Sequence, residues 1–332
     1  MAAPLGFKTF ATGDVLTAAD TNGYLMQGVW AFASAAARDA AVTSPQQGNM
    51  CFLKDSNTTQ YYSGSAWTSV AGAAGVNLLL NSNFALNQRA YVSAANLASG
   101  SYGFDRWKSN YTNTTLTFTA STQGQSVTIN ASGGLQQVIE QGLVPAGTYT
   151  LSWTGTATGR VYNSGGTPGS YAASPVTFTA DGTANVVVEF TAVSTTKTLS
   201  KVQFNSGTNT TWSLATPTLQ TELAACQRYY YRNTLPTATA VGTSLGRSST
   251  VSDFIAQFPV TMRTNPSAVE SGGTWSLTDP GVAAYTVTTF TFVHASLQTG
   301  YFRPTAASGL NQGKVYTLDG PTSGYIGFSA EL

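Results

Sequence analysis

The chain has 332 residues, more than one compact β domain needs, so length alone sets an expectation of two or three domains. Only 9% of residues are charged, against roughly 25% in an ordinary globular domain, and the net charge is +1 with no basic stripe, which excludes the electrostatic signature of nucleic-acid binding. No apolar run is long enough to span a bilayer and residues 1–8 do not read as a signal peptide, so no membrane insertion is expected and synthesis is placed in the cytoplasm.

Residues 1–70 read as a small α+β module. After a short extended stretch, Gly6-Phe7-Lys8-Thr9-Phe10, the pattern predicts a helix over 18–27, a strand over 29–32 and a second helix capped by Ser34 and running to Ala41. Strands follow over 49–53, 60–63 and 66–70, joined by turn residues, and the set reads as a β meander carrying two helices. Residues 71–75, Ala-Gly-Ala-Ala-Gly, are a linker.

From 76 to 220 the chain shows many short alternating runs between turn residues. Strands are predicted over 115–119, 126–129, 149–153, 176–179, 186–190, 201–204 and 211–214. Strands at this spacing predict a β-sandwich of jelly-roll type. Residues 221–232, Glu-Leu-Ala-Ala-Cys-Gln-Arg-Tyr-Tyr-Tyr-Arg after Thr221, predict a helical turn running into a strand. Thr221 is the expected N-cap, and Leu223, Ala224 and Gln227 share a helix face. Residues 233–332 form a third module, expected as a β-sandwich tip, with strands over 253–260, 285–293 and 325–330. The whole is mainly β.

Three groups of residues carry a resemblance. Gly6-Phe-Lys-Thr-Phe through Tyr24-Leu25-Met26, with Ala36-Ala-Arg-Asp39 and Tyr61-Tyr-Ser-Gly-Ser-Ala-Trp67, resembles the N-terminal module of tailed-bacteriophage fibre and minor tail proteins. Asn81-Ser-Asn-Phe-Ala-Leu-Asn-Gln-Arg89 with Phe104-Asp-Arg-Trp107 resembles the opening of a carbohydrate-binding-like jelly roll in such fibres. Ala225-Cys-Gln-Arg-Tyr-Tyr-Tyr-Arg232, Phe258-Pro-Val-Thr-Met-Arg-Thr-Asn-Pro266 and Ser329-Ala-Glu-Leu332 resemble their C-terminal tip. The resemblance implies a homotrimeric virion fibre, fixed to other virion proteins by its N-terminus and displaying its C-terminus to a host polysaccharide or lipopolysaccharide. Phe7, Phe10, Tyr24, Leu25, Met26 and Trp30 would then serve virion anchoring. The nearly uncharged surface agrees with self-association, because charge repulsion cannot oppose it. No heptads and no Gly-X-Y period are present, so a shaft is missing and the fibre would be short and globular.

Chemistry is sparse. The 14 acidic residues form no local motif, so a glycan-cleaving carboxylate pair would have to be assembled by the fold. Asp105 is expected to pair with Arg106 or a nearby cation. Gly242-Thr243-Ser244-Leu245-Gly246 matches a nucleophile elbow, with Asp279 and His294 following, but Arg247-Ser-Ser-Thr-Val is not helical, so an esterase is not expected. Cys51 and Cys226 fall in different modules and indicate neither a metal site nor a cofactor. Aromatic side chains are the glycan-binding candidates: Trp107, Tyr162 and Tyr171 in the sandwich, and Trp275, Tyr285, Tyr301 and the neighbouring His294 in the tip. Leu223, Cys226, Tyr229, Tyr230 and Tyr231 read as a packed seam, either a trimer interface near a three-fold axis or a linker packed on its own chain. A non-enzymatic adhesive fibre is the function expected. A purely structural head, collar or tail decoration protein and a glycan depolymerase are the alternatives.

Overall fold

The computed structural model describes residues 11–21, 28–55, 58–70, 76–121 and 123–332. The chain divides into two compact units, Met1–Gly75 and Val76–Leu332.

In the first unit α1 (Ala18–Asp20) is closed by a capping box between Thr17 and Asp20. Residues 22–27 of the predicted 18–27 helix lie outside the described residues, as do the candidate anchoring residues Phe7, Phe10, Tyr24, Leu25 and Met26. Then come β1 (Val29–Phe32), α2 (Ala35–Ala41), β2 (Met50–Leu53), β3 (Thr58–Tyr62) and β4 (Trp67–Ser69), the strands forming one sheet in that order. Trp30, the remaining anchoring candidate, is half-buried on β1. Ser34 caps α2, its hydroxyl accepting from the Ala37 amide at 3.2 Å. β1 pairs parallel with β2, so the unit opens with a β-α-β crossover through α2 and only β2–β4 form a meander. A parallel pair needs such a crossover, and α2 supplies it. The core is small. Val42, Cys51 and Leu53 are joined by the buried Arg38, whose guanidinium lies 4.8 Å from the Trp67 ring centroid. Burial pushes the Cys51 thiol above its ordinary value.

The second unit begins with a sandwich. Its strands are β5 (Asn96–Leu97), β6 (Lys108–Ser109), β7 (Thr114–Thr117), β8 (Val127–Ile129), β9 (Gly134–Ile139), β10 (Gly147–Gly155), β11 (Thr158–Asn163), β12 (Val176–Ala180), β13 (Val186–Thr191) and β14 (Lys197–Ser206). One sheet has the order β12-β10-β14-β8-β7-β5 and the other β11-β13-β9-β6. From β9 to β14 successive strands alternate between the two sheets, the jelly-roll pattern that the spacing predicts. Inward-facing Leu135, Leu151, Val188, Phe190 and Phe204 meet Phe84, Phe104 and Trp107 in a closed core. Residues 211–214 do not form the predicted strand. They lie as a strap across the six-stranded sheet, where side chains replace a ladder: Ser213 N donates to Gln203 Oε1 at 3.0 Å, and Asn77 Nδ2 donates to Ser213 O at 2.9 Å. Strand β9 escapes the sequence pattern because two glutamines interrupt its apolar alternation. Gln137 is buried there and holds the Leu80 backbone N–H and C=O, both at 2.9 Å.

The connector and tip follow: α3 (Leu219–Gln227), β15 (Tyr230–Thr234), β16 (Thr239–Gly246), β17 (Ser252–Gln257), β18 (Glu270–Gly272), β19 (Ser276–Asp279), β20 (Ala283–Ala295), β21 (Thr299–Ala306), β22 (Val315–Gly320) and β23 (Tyr325–Ser329). β15, β23 and β18 make a three-stranded sheet, and the other six strands close in the order β16-β17-β21-β20-β19-β22. The tip was expected as a sandwich; its strands instead join into a barrel. The 13-residue β20 pairs with both β19 and β21 and carries two bulges, and bulges bend a strand enough to turn such a corner. The chain's last strand, β23, pairs on both sides. Gly300 is required beside it, because a Cβ there would lie 2.3 Å from the Phe328 ring.

Candidate functional site

The second and third groups of residues that carry the sequence resemblance, around Asn81–Trp107 and Ala225–Leu332, converge at one place, and that place is a structural seam between sandwich and tip. Thr218, not Thr221, caps α3; Thr221 closes a capping box three residues in. The buried face of α3 is Glu222 and Cys226, one turn apart, while Leu223, Ala224 and Gln227 are half-buried. Glu222 accepts from Asn81 N at 2.6 Å, Thr216 N at 3.1 Å and Thr216 Oγ1 at 2.8 Å. Burial nevertheless raises its carboxyl above the ordinary range.

Around it, Arg106 pairs with Glu331 and donates to Val138 O at 2.6 Å, and Arg89 reaches Glu331 at 3.4 Å. The Arg106 guanidinium lies 3.6 Å from the Tyr229 ring centroid, and that of Arg89 lies 3.6 Å from Tyr230. Asp105 takes two bonds from Gln88 and faces Arg89 at 3.9 Å, so its cation is Arg89. Arg263 donates to the Ala330 and Glu331 carbonyls at 2.7 and 2.8 Å. Asp105 and Glu331 thus share one guanidinium, but both are buried.

Of the two readings of the seam residues, a trimer interface or a linker packed on its own chain, Cys226, Tyr229 and Tyr230 fit the second. Cys226, Tyr229 and Tyr230 are covered by their own chain, and Tyr229 and Tyr230 have their hydroxyls bonded to Glu140 at 2.6 Å and Glu270 at 2.9 Å. Burial and then the Glu140 bond push the Tyr229 hydroxyl up to about 12. Burial likewise pushes the Cys226 thiol up. Leu223 is half-buried, and Tyr231 is half-buried against Phe258, with ring centroids 5.9 Å apart.

Two of the glycan candidates are also core residues. Trp107 is wholly enclosed, with Nε1 donating to Asn81 O at 3.0 Å and its ring 5.2 Å from Phe84. Trp275 is enclosed in the barrel, with Nε1 donating to Gly272 O at 2.9 Å. Their turn-rich neighbours suggested loops, but turns in a small β barrel or sandwich border the core directly. Tyr285 is half-buried at the barrel end, 6.0 Å from Tyr316. Gly242–Gly246 runs within β16, Ser244 is buried, and Asp279 pairs with Lys314, so no nucleophile elbow forms.

Tyr162 and Tyr171, in contrast, come together on the outer face of the four-stranded sheet. β11, β13 and β9 each turn alternate residues outward. In register across the sheet stand Arg160, Glu189, Gln136 and Lys108, one from each strand. Glu189 accepts from Arg160 Nε at 2.6 Å, Tyr171 OH at 3.1 Å and Tyr162 OH at 3.3 Å. Arg160 also holds the 164–175 loop through Gly169 O at 3.1 Å, and its guanidinium lies 4.1 Å from the Tyr171 ring. Tyr111 completes the group. Its hydroxyl accepts from Thr191 Oγ1 at 3.1 Å, and its ring lies over Gly134, where a Cβ would come within 2.6 Å. Burial raises the Tyr171 and Tyr162 hydroxyls, and in both the Glu189 charge adds to it. Burial opposes the charge on Arg160, but the Glu189 bond outweighs it and the net shift is upward. The face therefore offers fixed tyrosine rings, a guanidinium and the Gln136 amide on rigid strands. Such a set can donate to and accept from several hydroxyls at once and meet the apolar face of a flat ring. Sequence reasoning missed Tyr111, Arg160 and Glu189. The lone charge in Val186-Val187-Val188-Glu189-Phe190 was the available signal, since a buried carboxylate needs partners.

A second pair of candidates meets on the barrel wall. Tyr301 donates to Asp253 Oδ1 at 2.6 Å, Arg303 Nε reaches the same oxygen at 3.0 Å, and exposed His294 packs edge-on against Tyr301. Burial would raise the Asp253 carboxyl, but the Tyr301, Arg303 and Arg247 contacts hold it below its ordinary value. Among the described residues, no group of three or more His, Cys, Asp or Glu side chains is placed to hold a metal ion.

No protein-family model and no curated protein matches the chain. Among solved structures it is similar to the N-terminal CBM22-1–CBM22-2 tandem domain of Paenibacillus barcinonensis Xyn10C, at 10% identity and TM-score 0.21, over 72% of this chain and 98% of that one. It is also similar to a Paenibacillus sp. cycloisomaltooligosaccharide glucanotransferase complexed with cycloisomaltoheptaose, at 10% identity and TM-score 0.19, over 73% of this chain and 46% of that one. Likeness at these scores carries no functional argument.

Proposed function

We propose that this chain is a non-enzymatic, external virion fibre subunit that adheres to host surface glycan through the outer face of its four-stranded sheet. The observation that carries the glycan reading is the Arg160–Glu189–Gln136–Lys108 row flanked by Tyr111, Tyr162 and Tyr171. The sequence resemblance supports the fibre reading. In it the first unit attaches to other virion proteins, and three copies multiply a weak single-site affinity. Acidic side chains favour adhesion over cleavage. The two that share a cation, Asp105 and Glu331, are sealed in the seam, and Glu189 is already bonded on three sides.

The test is binding of the purified full chain to host cells and extracted surface polysaccharide, with reducing-sugar release followed in the same samples. Binding without sugar release is expected, and it should fall about tenfold or more in Tyr162→Ala and Tyr171→Ala, the loss of roughly 1.4 kcal/mol. No binding to any host polysaccharide would favour a structural decoration protein, and sugar release would favour a depolymerase. A monomeric solution mass would remove the trimer from the proposal and leave the glycan face standing.

A further inference from the structure

We propose a second binding site, independent of the four-stranded face, for an acidic sugar residue, a pyranose bearing a carboxylate. It is the cleft of about 300 Å³ between the β10–β14 bulge and the strap over the six-stranded sheet. Its size falls at the lower end of small-ligand clefts. Trp153, Trp212, Lys201, Ser152, Ser174 and Thr210 line it, and none of its lining residues is acidic.

Each wall has a fixed role. Trp212 is half-buried, and its indole is pinned because Nε1 donates to Ser82 Oγ at 3.2 Å. A pinned, half-open indole is a platform for the apolar face of a sugar ring. Trp153 lines the cleft while its indole packs inward, 5.0 Å from Phe190, with Nε1 donating to Ala157 O at 3.0 Å. Ser174 Oγ accepts from the Trp153 amide at 3.0 Å, which leaves its own hydrogen to donate to a ligand.

Lys201 supplies the charge preference. It is exposed, forms no ion pair among the described residues, and its ammonium lies 5.8 Å from the Trp212 ring centroid. Its backbone sits at φ +48°, in the left-handed region that lysine rarely adopts. The register of β10 against β14 breaks between Ser152 and Thr154, next to it. The bulge thus turns a lone cation toward an aromatic cleft, and backbone strain of this kind concentrates at ligand sites. A carboxylate on a ring stacked at Trp212 would meet the ammonium, whereas a neutral ring would leave it unmatched.

The experiment is titration of the full chain with oligomers of galacturonate and of glucuronate, against their methyl esters, read by tryptophan emission and calorimetry. The ester keeps the ring and removes the charge. At least one acidic oligomer is expected to bind saturably, and its ester about tenfold more weakly. Lys201→Gly is expected to lose the same factor while its thermal stability holds or rises, because glycine accepts the left-handed backbone. Tyr162→Ala should leave this binding unchanged. Equal binding of acid and ester, undiminished binding by Lys201→Gly, or no binding of either acid would overturn the proposal. Loss in Tyr162→Ala with retention in Lys201→Gly would overturn it too and assign the acidic sugar to the four-stranded face.

Discussion

The seam and the four-stranded face are built from the same three residue types and use them differently. At the seam Arg106 and Glu331 keep 3% and 6% of their side chains in solvent, and the Arg106 and Arg89 guanidiniums lie 3.6 Å from tyrosine ring centroids. On the face Arg160 keeps 22%, with the Tyr171 ring centroid 4.1 Å from its guanidinium and the Tyr162 and Tyr171 hydroxyls donating to Glu189. Desolvation separates the two. A sealed ion pair can only hold its own chain, because any partner would have to replace contacts already made. A half-open one can exchange water for a ligand's hydroxyls. In a chain with so few charges, much of the Arg and Glu complement goes into the joint between sandwich and tip, which makes those modules one compact unit.

The largest effect is expected from Arg106→Met. It leaves Glu331 buried without its main cation, at a cost of about 3–5 kcal/mol. Urea denaturation should show a lower midpoint, with the glycan affinity of the folded fraction unchanged. A loss below about 1 kcal/mol would mean that the seam is not what binds tip to sandwich. Next is Glu222→Ala, which orphans the Asn81 and Thr216 amides at about 1–3 kcal/mol for each donor left unpaired. Thermal unfolding monitored at tryptophan is the readout. Arg160→Ala should differ in its readout. Its stability cost is about 1–3 kcal/mol, below that of Arg106→Met, because the buried Glu189 loses its cation but keeps the Tyr162 and Tyr171 hydroxyls. Its glycan affinity should fall about tenfold. Unchanged glycan affinity in Arg160→Ala would erase the distinction between face and seam.

The smallest effect is a difference in pH response. Glu222 titrates higher when folded, so its contribution is complete below the unfolded value of about 4.3 and is lost as pH rises through the folded pKa. Asp253 titrates lower when folded, so its contribution is present above about 3.9 and is lost as pH falls through the folded pKa. Melting curves from pH 3 to 7 should therefore show Asp253→Asn removing part of the acid-side loss. Glu222→Gln should remove a loss on the neutral side. Parallel curves for both variants and the parent would contradict the assignments.

Much of the fold was legible. Alternation marks β7, β8, β10, β12, β13, β14 and β20 within a few residues, and Ser34 marks the start of α2. Strands of two residues, such as β5 and β6, carry no detectable period. The site was less legible. Tyr162 and Tyr171 were visible as aromatics, but Trp107 and Trp275 looked the same in sequence and are core. A flat string cannot say which side of a turn faces water.

By itself the sequence determined the mainly β class, the jelly-roll spacing and the poverty of charge, because each follows from local pattern and count. Only the tertiary structure decided that Asp105, Arg106 and Glu331 close a joint, that the tip strands form a barrel, and that Arg160 and Glu189 meet two tyrosines. The physical reason is separation along the chain. Arg106 and Glu331 are 225 residues apart, and burial of a charge is set by what the whole fold brings to it.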